Sequence, residues 1–167
     1  YTYDDIYLMD ASLRMDGSSE FGSKKKFAPF WSFGAGLNIH NYAFMKTQTL
    51  FSQLKIRGSY GQIGKVNFPA YVAKHTYQIL PGSYGTGNGV LLYYMGNENL
   101  KWERTNTFDI GADVSLLHDA IVMRFSWYNK KTIDLITDVT LPSSTGFTVY
   151  RDNLGEVQNR GIELDIR

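Results

Sequence analysis

Residues 107 to 128 alternate with a period of two on both sides of one tight break, and this limits the chain more than any other stretch. On the first side Phe108, Ile110, Ala112, Val114 and Leu116 are apolar, with Thr107, Asp109, Gly111, Asp113 and Ser115 between them. On the second side Ile121, Met123, Phe125 and Trp127 alternate with Val122, Arg124, Ser126 and Tyr128. A period of two is the mark of a β-strand with two unlike faces. With His118-Asp119 as a two-residue turn, Leu116 faces Ile121, Val114 faces Met123, Ala112 faces Phe125 and Ile110 faces Trp127. The same register sets Asp113 opposite Arg124, a favourable cross-strand pair. A slip by one residue would place apolar side chains opposite polar ones.

The pattern recurs along the chain. In the segment Asp5 to Met15, Tyr7, Met9, Ala11, Leu13 and Met15 share a face. In Phe30 to Ile39, Trp31, Phe33, Ala35, Leu37 and Ile39 do so, and Pro29 stands where a strand tolerates a missing N–H. Gln53 to Gln62 places Leu54, Ile56, Gly58 and Tyr60 in one row. The hairpin arms are Lys101 to Leu117 and Ala120 to Tyr128, the second continuing toward Thr140. The last segment, Val157 to Arg167, alternates Ile162, Leu164 and Ile166 with Gly161, Glu163 and Asp165. Six long strands therefore alternate between long connections (17–27, 63–100, 142–156) and short ones (40–52, 118–119). In an up-and-down meander the long loops share one rim and the short turns the other. Residues 41 to 51 read as a connector with room for one helical turn, and YVAKHTYQIL and VLLYYM read as short strands within 63–100.

Composition removes several alternatives. The net charge is +1 and no basic run exceeds Lys24-Lys25-Lys26, which argues against a nucleic-acid partner. There is no cysteine, hence no disulfide framework or thiolate metal site. The opening YTYDDIYLMD reads as a strand rather than a signal peptide, and no run of eighteen apolar residues occurs.

Two architectures fit. One is a soluble β-sandwich, of the kind found in binding or adhesin modules. The other is an antiparallel up-and-down transmembrane β-barrel segment, either of a transporter or of a passive porin, with its apolar band against lipid. Three features favour the barrel: strand length, a non-lipid face rich in charge and glycine, and the span of the apolar row. From Phe108 to Leu116 that row covers roughly 23 Å of membrane normal at a tilt near 40°, close to the ~25 Å band of such barrels. Trp102 and Trp127 are expected in an aromatic girdle at the long-loop rim. Six strands do not close a barrel, so the pattern reads as a segment of a larger one. An arginine at Val114, read as near mid-membrane, should be far more costly than one at Ser115.

The segments RMDGSSEFG (14–22), APFWSFGAGLNI (28–39), LKIRGSYGQIG (54–64) and GNENLKWERT (96–105) follow one another in the chain. FDIGADVSLL (108–117), SWYNKKTIDLI (126–136), LPSSTGF (141–147) and NLGEVQNRGIEL (153–164) complete the series. In this order the chain resembles the SusC/RagA family of TonB-dependent outer-membrane transporters, over nearly its whole length. Met15 and Glu20 depart from the family's usual tyrosine and basic residue. The resemblance implies that residues 1–167 are part of a 22-stranded receptor barrel in the outer membrane of a Gram-negative bacterium, without the plug and N-terminal regions. It implies uptake of oligosaccharides or peptides with a SusD-like surface lipoprotein as lid, energy through TonB, and contact with outer-membrane lipid and lipopolysaccharide. Residues 17–27, 63–100 and 142–156 would then be extracellular.

No catalytic constellation is present, and the chain reads as no enzyme, with no cofactor. His40, His75 and His118 lack metal-ligand spacing. Asp134 and Asp138 read as solvated rim charges. The glycine-rich loop Gly82 to Gly87 has no following lysine or helix, so it is no phosphate cradle. Tyr84, Tyr93 and Tyr94 are the candidate loop residues for stacking on a sugar or packing against a lid. Asn97 to Trp102 (NENLKW) reads as the structural re-entry of the chain into the barrel.

Overall fold

The computed structural model describes residues 1–21, 26–66, 72–85 and 87–167, apart from the side chains of residues 83 and 84. Among the described residues nine strands run in chain order: β1 (Thr2–Tyr3), β2 (Tyr7–Gly17), β3 (Phe27–Asn38), β4 (Phe51–Lys65), β5 (Thr76–Tyr84), β6 (Gly87–Tyr94), β7 (Glu103–Leu116), β8 (Ile121–Thr140) and β9 (Val149–Ile166). Seven form one antiparallel sheet in the order β1-β2-β3-β4-β7-β8-β9, and β5-β6 form a separate hairpin. The long strands run up and down between neighbours, as the alternating loop lengths require.

The 107–128 hairpin has the expected register: Leu116 pairs with Ile121, Val114 with Met123, Ala112 with Phe125, Ile110 with Trp127 and Asp113 with Arg124. His118 and Asp119 have positive φ of 59° and 67° at the centre of the turn, and the Ala120 N–H donates to Leu117 O at 3.3 Å. Leu117 also adopts φ 53°, so strand pairing stops one residue earlier than the sequence suggests.

Several boundaries differ from expectation. Asp4 and Asp5 form a left-handed turn that folds β1 back on β2, so the first long strand starts at Tyr7, not Asp5. The connector holds two single 3₁₀ turns, Ile39–Asn41 and Ala43–Met45. The strands β8 and β9 are 20 and 18 residues long and pair up to Thr140↔Val149, which shrinks the 142–156 loop to a short turn. Much of PGSYGTGNG is strand rather than loop, because Pro81 to Tyr84 end β5 and Gly87 opens β6. Thr86 lies outside the described residues.

The tightly buried core sits at the long-loop rim, away from the middle of the sheet. It consists of Phe21, Phe30, Val72, Ala73, Leu100 and Trp102. Trp102 stacks on Phe21 at 5.0 Å and meets Phe30 edge-on at 5.6 Å. This corrects its expected place in the girdle: Trp102 is buried between the loop residue Phe21 and Phe30 of β3, and its Nε1 has no acceptor among the described residues. Phe30 wedges into the gap where β3–β4 pairing ends at Trp31↔Gln62, and a side chain at Gly64 would collide with its ring.

Candidate functional site

The sheet has two surfaces of opposite character. One carries large apolar side chains left open: Leu13 and Ile162 are 79% and 68% exposed, and Phe33, Ile110, Phe125 and Leu164 are also exposed. A continuous apolar surface across six strands is far larger than a soluble monomer leaves to water.

A line of rings crosses this surface: Trp31–Tyr60 at 5.2 Å, Tyr60–Phe108 at 6.3 Å and Phe108–Trp127 at 5.8 Å. Trp31 pairs with Gln62, two residues beyond Tyr60; Tyr60 pairs with Phe108; Phe108 pairs with Asn129, two residues beyond Trp127. The ring line therefore slips four residues along the strands over three strand steps. With a rise of about 3.3 Å per residue and a strand spacing of about 4.8 Å, a level girdle requires strands tilted by about 42°. That is within the 35–45° tilt of transmembrane barrels. Amides cap the girdle: Gln62 Nε2 donates to Asn106 Oδ1 at 2.8 Å, and Gln158 Nε2 to Asn129 Oδ1 at 2.8 Å. A second ring group, Tyr3, Tyr7, Tyr42 and Phe44, marks the short-turn rim. There the Tyr42 hydroxyl donates to Tyr7 at 2.9 Å, and this bond raises the Tyr42 pKa.

The other surface is polar and paired. Arg57 reaches Asp109 at 3.2 Å, Asp113 at 3.6 Å and Ser126 Oγ at 2.9 Å, and Arg124 meets Asp113 at 3.3 Å. Ser12 and Ser32 share a hydrogen bond of 2.7 Å. Glycines on this surface lie under side chains of their register partners: Gly34 beneath Asp10, Gly111 beneath Arg57, Gly161 beneath Tyr128. Small residues let long polar side chains lie flat along this face. Ser115, on this surface, is only 5% exposed, so it is not the tolerant position the alternation suggests.

At the long-loop rim a latch holds residues 97 to 103. Asn97 Nδ2 donates to Arg151 O and Asp152 Oδ1, and its Oδ1 accepts from the Asn99 N–H. Asn153 accepts from the Lys101 N–H and donates to Lys101 O and Asp134 O. Glu103, 3% exposed, accepts from the Ile136 N–H at 3.1 Å. The NENLKW motif signalled this re-entry. Asn153 and Glu103 gave no comparable signal, because their partners are distant in the chain. Asp134 and Asp138 are both paired: Asp134 sits at φ 59° beside a register shift in β8 and binds Arg104, while Asp138, solvated as expected, also binds Arg151.

The three tyrosines do not form one group. Tyr93 is 68% exposed on the β5–β6 hairpin. Tyr94 packs against the rim core, where burial raises its pKa and Arg151 opposes that rise. The Tyr84 side chain lies outside the described residues. The histidines are scattered: Leu54 N–H donates to His40 Nδ1, Gly96 N–H donates to His75 Nδ1, and His118 is in the hairpin turn. Among the described residues no cluster of three or more His, Asp or Glu could hold a metal.

These features define a wall of a transmembrane β-barrel. The family model for "TonB dependent receptor-like, beta-barrel" matches residues 1–167, and the chain belongs to that family. It is 36% identical to TonB-dependent receptor P26 of Formosa agariphila, covering 99% of this chain and 17% of that receptor. It is 33% identical to the TonB-dependent receptor SusC of Bacteroides thetaiotaomicron, covering 96% of this chain and 17% of SusC. Among solved structures, the RagAB peptide importer in its open-open state matches with a TM-score of 0.91 and 28% identity, over 99% of this chain and 18% of that one. The chain thus spans about a sixth of the length of the curated relatives it matches.

Proposed function

We propose that these residues form part of the wall of an outer-membrane importer that takes up oligosaccharides or peptides with energy delivered through TonB. The observation that carries this reading is the two-faced sheet: an apolar face with an aromatic girdle at membrane-barrel tilt, backed by a charged, glycine-lined inner face. The relationship to SusC and to RagAB supports active import over a passive porin. A SusD-like surface lipoprotein would close the extracellular side, where Tyr93 and the β5–β6 hairpin project. Tyr84, Tyr93 and Tyr94 remain the loop residues proposed to meet nutrient or lid. The sheet's apolar outer face argues against a soluble sandwich module.

The test uses the full-length transporter in its native host. Deleting it should abolish growth on one class of oligosaccharide or peptide, and disabling TonB should do the same. A tagged transporter should retain a surface lipoprotein on purification. Uptake that persists without TonB would make the protein a passive pore, and recovery in the soluble fraction would overturn the barrel assignment.

A further inference from the structure

We infer that the outer surface of β3 and β4 carries a site for a single phosphate-bearing lipid of the outer leaflet, with its head above the girdle and an acyl chain below. Pairing between β3 and β4 ends at Trp31↔Gln62, and the strands part there. The parting opens a cleft of about 330 Å³ lined by Phe27, Ala28, Pro29, Gln62, Lys101, Trp102 and Arg104. Phe27 and Pro29 share the parity of Trp31, Gln62 that of Tyr60, and Arg104 that of Phe108, so these four lie on the lipid-facing side, where Phe27 is 72% exposed, while Ala28 and Trp102 form the floor of the cleft against the rim core. Pro29 and Gln62 stand two residues above the girdle rings on their strands, Phe27 and Arg104 four. At a rise of about 3.3 Å and a tilt of about 42° these are heights of roughly 5 and 10 Å, within the headgroup layer.

The chemistry of the cleft is that of an anion site with apolar walls. Arg104 is oriented by Asp134, which takes its Nε and Nη2 at Oδ2 and leaves Nη1 without a protein partner among the described residues. Lys101 is exposed and has no ion pair among the described residues, so the cleft keeps a net positive charge. A planar guanidinium beside a free ammonium suits phosphate oxygens.

The same two strands supply room for a tail. Met9, Ala35, Gly58 and Ile110 form one register row across four strands. At Ala35 and Gly58 the apolar surface dips, and a Cβ on Gly58 would meet nothing nearer than 3.7 Å. The resulting groove is bordered by Met9, Leu37, Ile56 and Ile110. Ala35 lies four residues below Trp31, roughly 10 Å deeper in the membrane at the same tilt. A head above and a slot below, on one pair of strands, match an amphiphile rather than a free anion.

This rests on the outer-membrane reading, and the experiment separates the two. The full-length transporter is purified in mild detergent, its folding checked by heat-modifiable gel mobility, and lipid A is titrated while native mass spectrometry counts bound lipid. Failure to form a heat-modifiable barrel would count against the membrane reading itself. With a folded barrel, wild type should retain one lipid A. Lys101→Gln, which breaks no ion pair, should weaken retention about fivefold, and Lys101→Gln/Arg104→Gln at least tenfold. Gly58→Leu, which fills the slot, should weaken it with the cations intact. Lipid A stripped of phosphate should bind as weakly as the double variant. Equal retention by all variants, or by the phosphate-free lipid, would overturn the site. Millimolar inorganic phosphate displacing the lipid while Gly58→Leu has no effect would overturn it as a lipid site.

Discussion

Arg57 lies across Gly111, its register partner on the next strand, and reaches Ser126 one strand further at 2.9 Å. A Cβ at position 111 would stand 3.1 Å from the Arg57 guanidinium carbon and 2.7 Å from Phe125 O. The flattened arginine ties β4, β7 and β8 together on the inner face.

Gly111→Ala should therefore push Arg57 off the wall and strain the β7–β8 pairing. The expected loss is about 1–3 kcal/mol, the usual range for overpacking. Gly58→Ala is the control, since its Cβ has ordinary contacts only. Urea unfolding of the full-length barrel in detergent, followed by gel mobility, should separate the two; equal stability would refute the stacking.

The girdle sets the depth of each residue, and it moves the membrane midplane on β7 to Ala112, midway between Phe108 and Leu116. Ala112→Arg should cost roughly 2–4 kcal/mol, with Val114→Arg less damaging because it lies nearer the short-turn rim. Ser59→Arg, exposed on the inner face, should be nearly neutral, whereas buried Ser115 should not accept arginine. Folding yields into vesicles check the order, and a Ser59 penalty equal to that at Ala112 would reverse the two faces.

Asn153 holds both backbone groups of Lys101 and the carbonyl of Asp134. Asn153→Ala should loosen the 97–103 latch by about 1–3 kcal/mol, the cost of leaving such groups unpaired. Limited proteolysis on intact cells should show faster cleavage between residues 66 and 102, with the barrel's gel mobility unchanged. Unaltered cleavage would mean the latch is held elsewhere.

Trp102 joins Phe21 to Phe30 at the loop rim. Trp102→Ala should cost about 3–5 kcal/mol through the cavity it leaves. Trp102→Phe should be mild, because it also removes an indole N–H that has no acceptor among the described residues. Thermal unfolding of the full-length protein measures both, and a phenylalanine variant as damaged as the alanine one would show that the N–H has a partner.

The register of the 107–128 hairpin was legible because each side chain's face repeats every two residues, and only one alignment pairs like with like. The partners of Asn153, Glu103 and Asp134 were not legible, since they depend on where 97–103 meets β8 and β9. Trp102 misled for the same reason: its position just ahead of a strand suggested the girdle, but a neighbouring aromatic loop offered it a drier place.

The sequence by itself determined that the chain makes long two-faced strands, which faces are apolar, and how the central hairpin aligns. Period-two patterning is a local property, carried by each strand alone. Only the tertiary structure decided the slope of the girdle, the stacking of Arg57 on Gly111, the rim core and the parting of β3 from β4. Those depend on strand-to-strand register and on contacts between residues far apart in the chain, where sterics and hydrogen bonding choose among arrangements that the local pattern leaves equal.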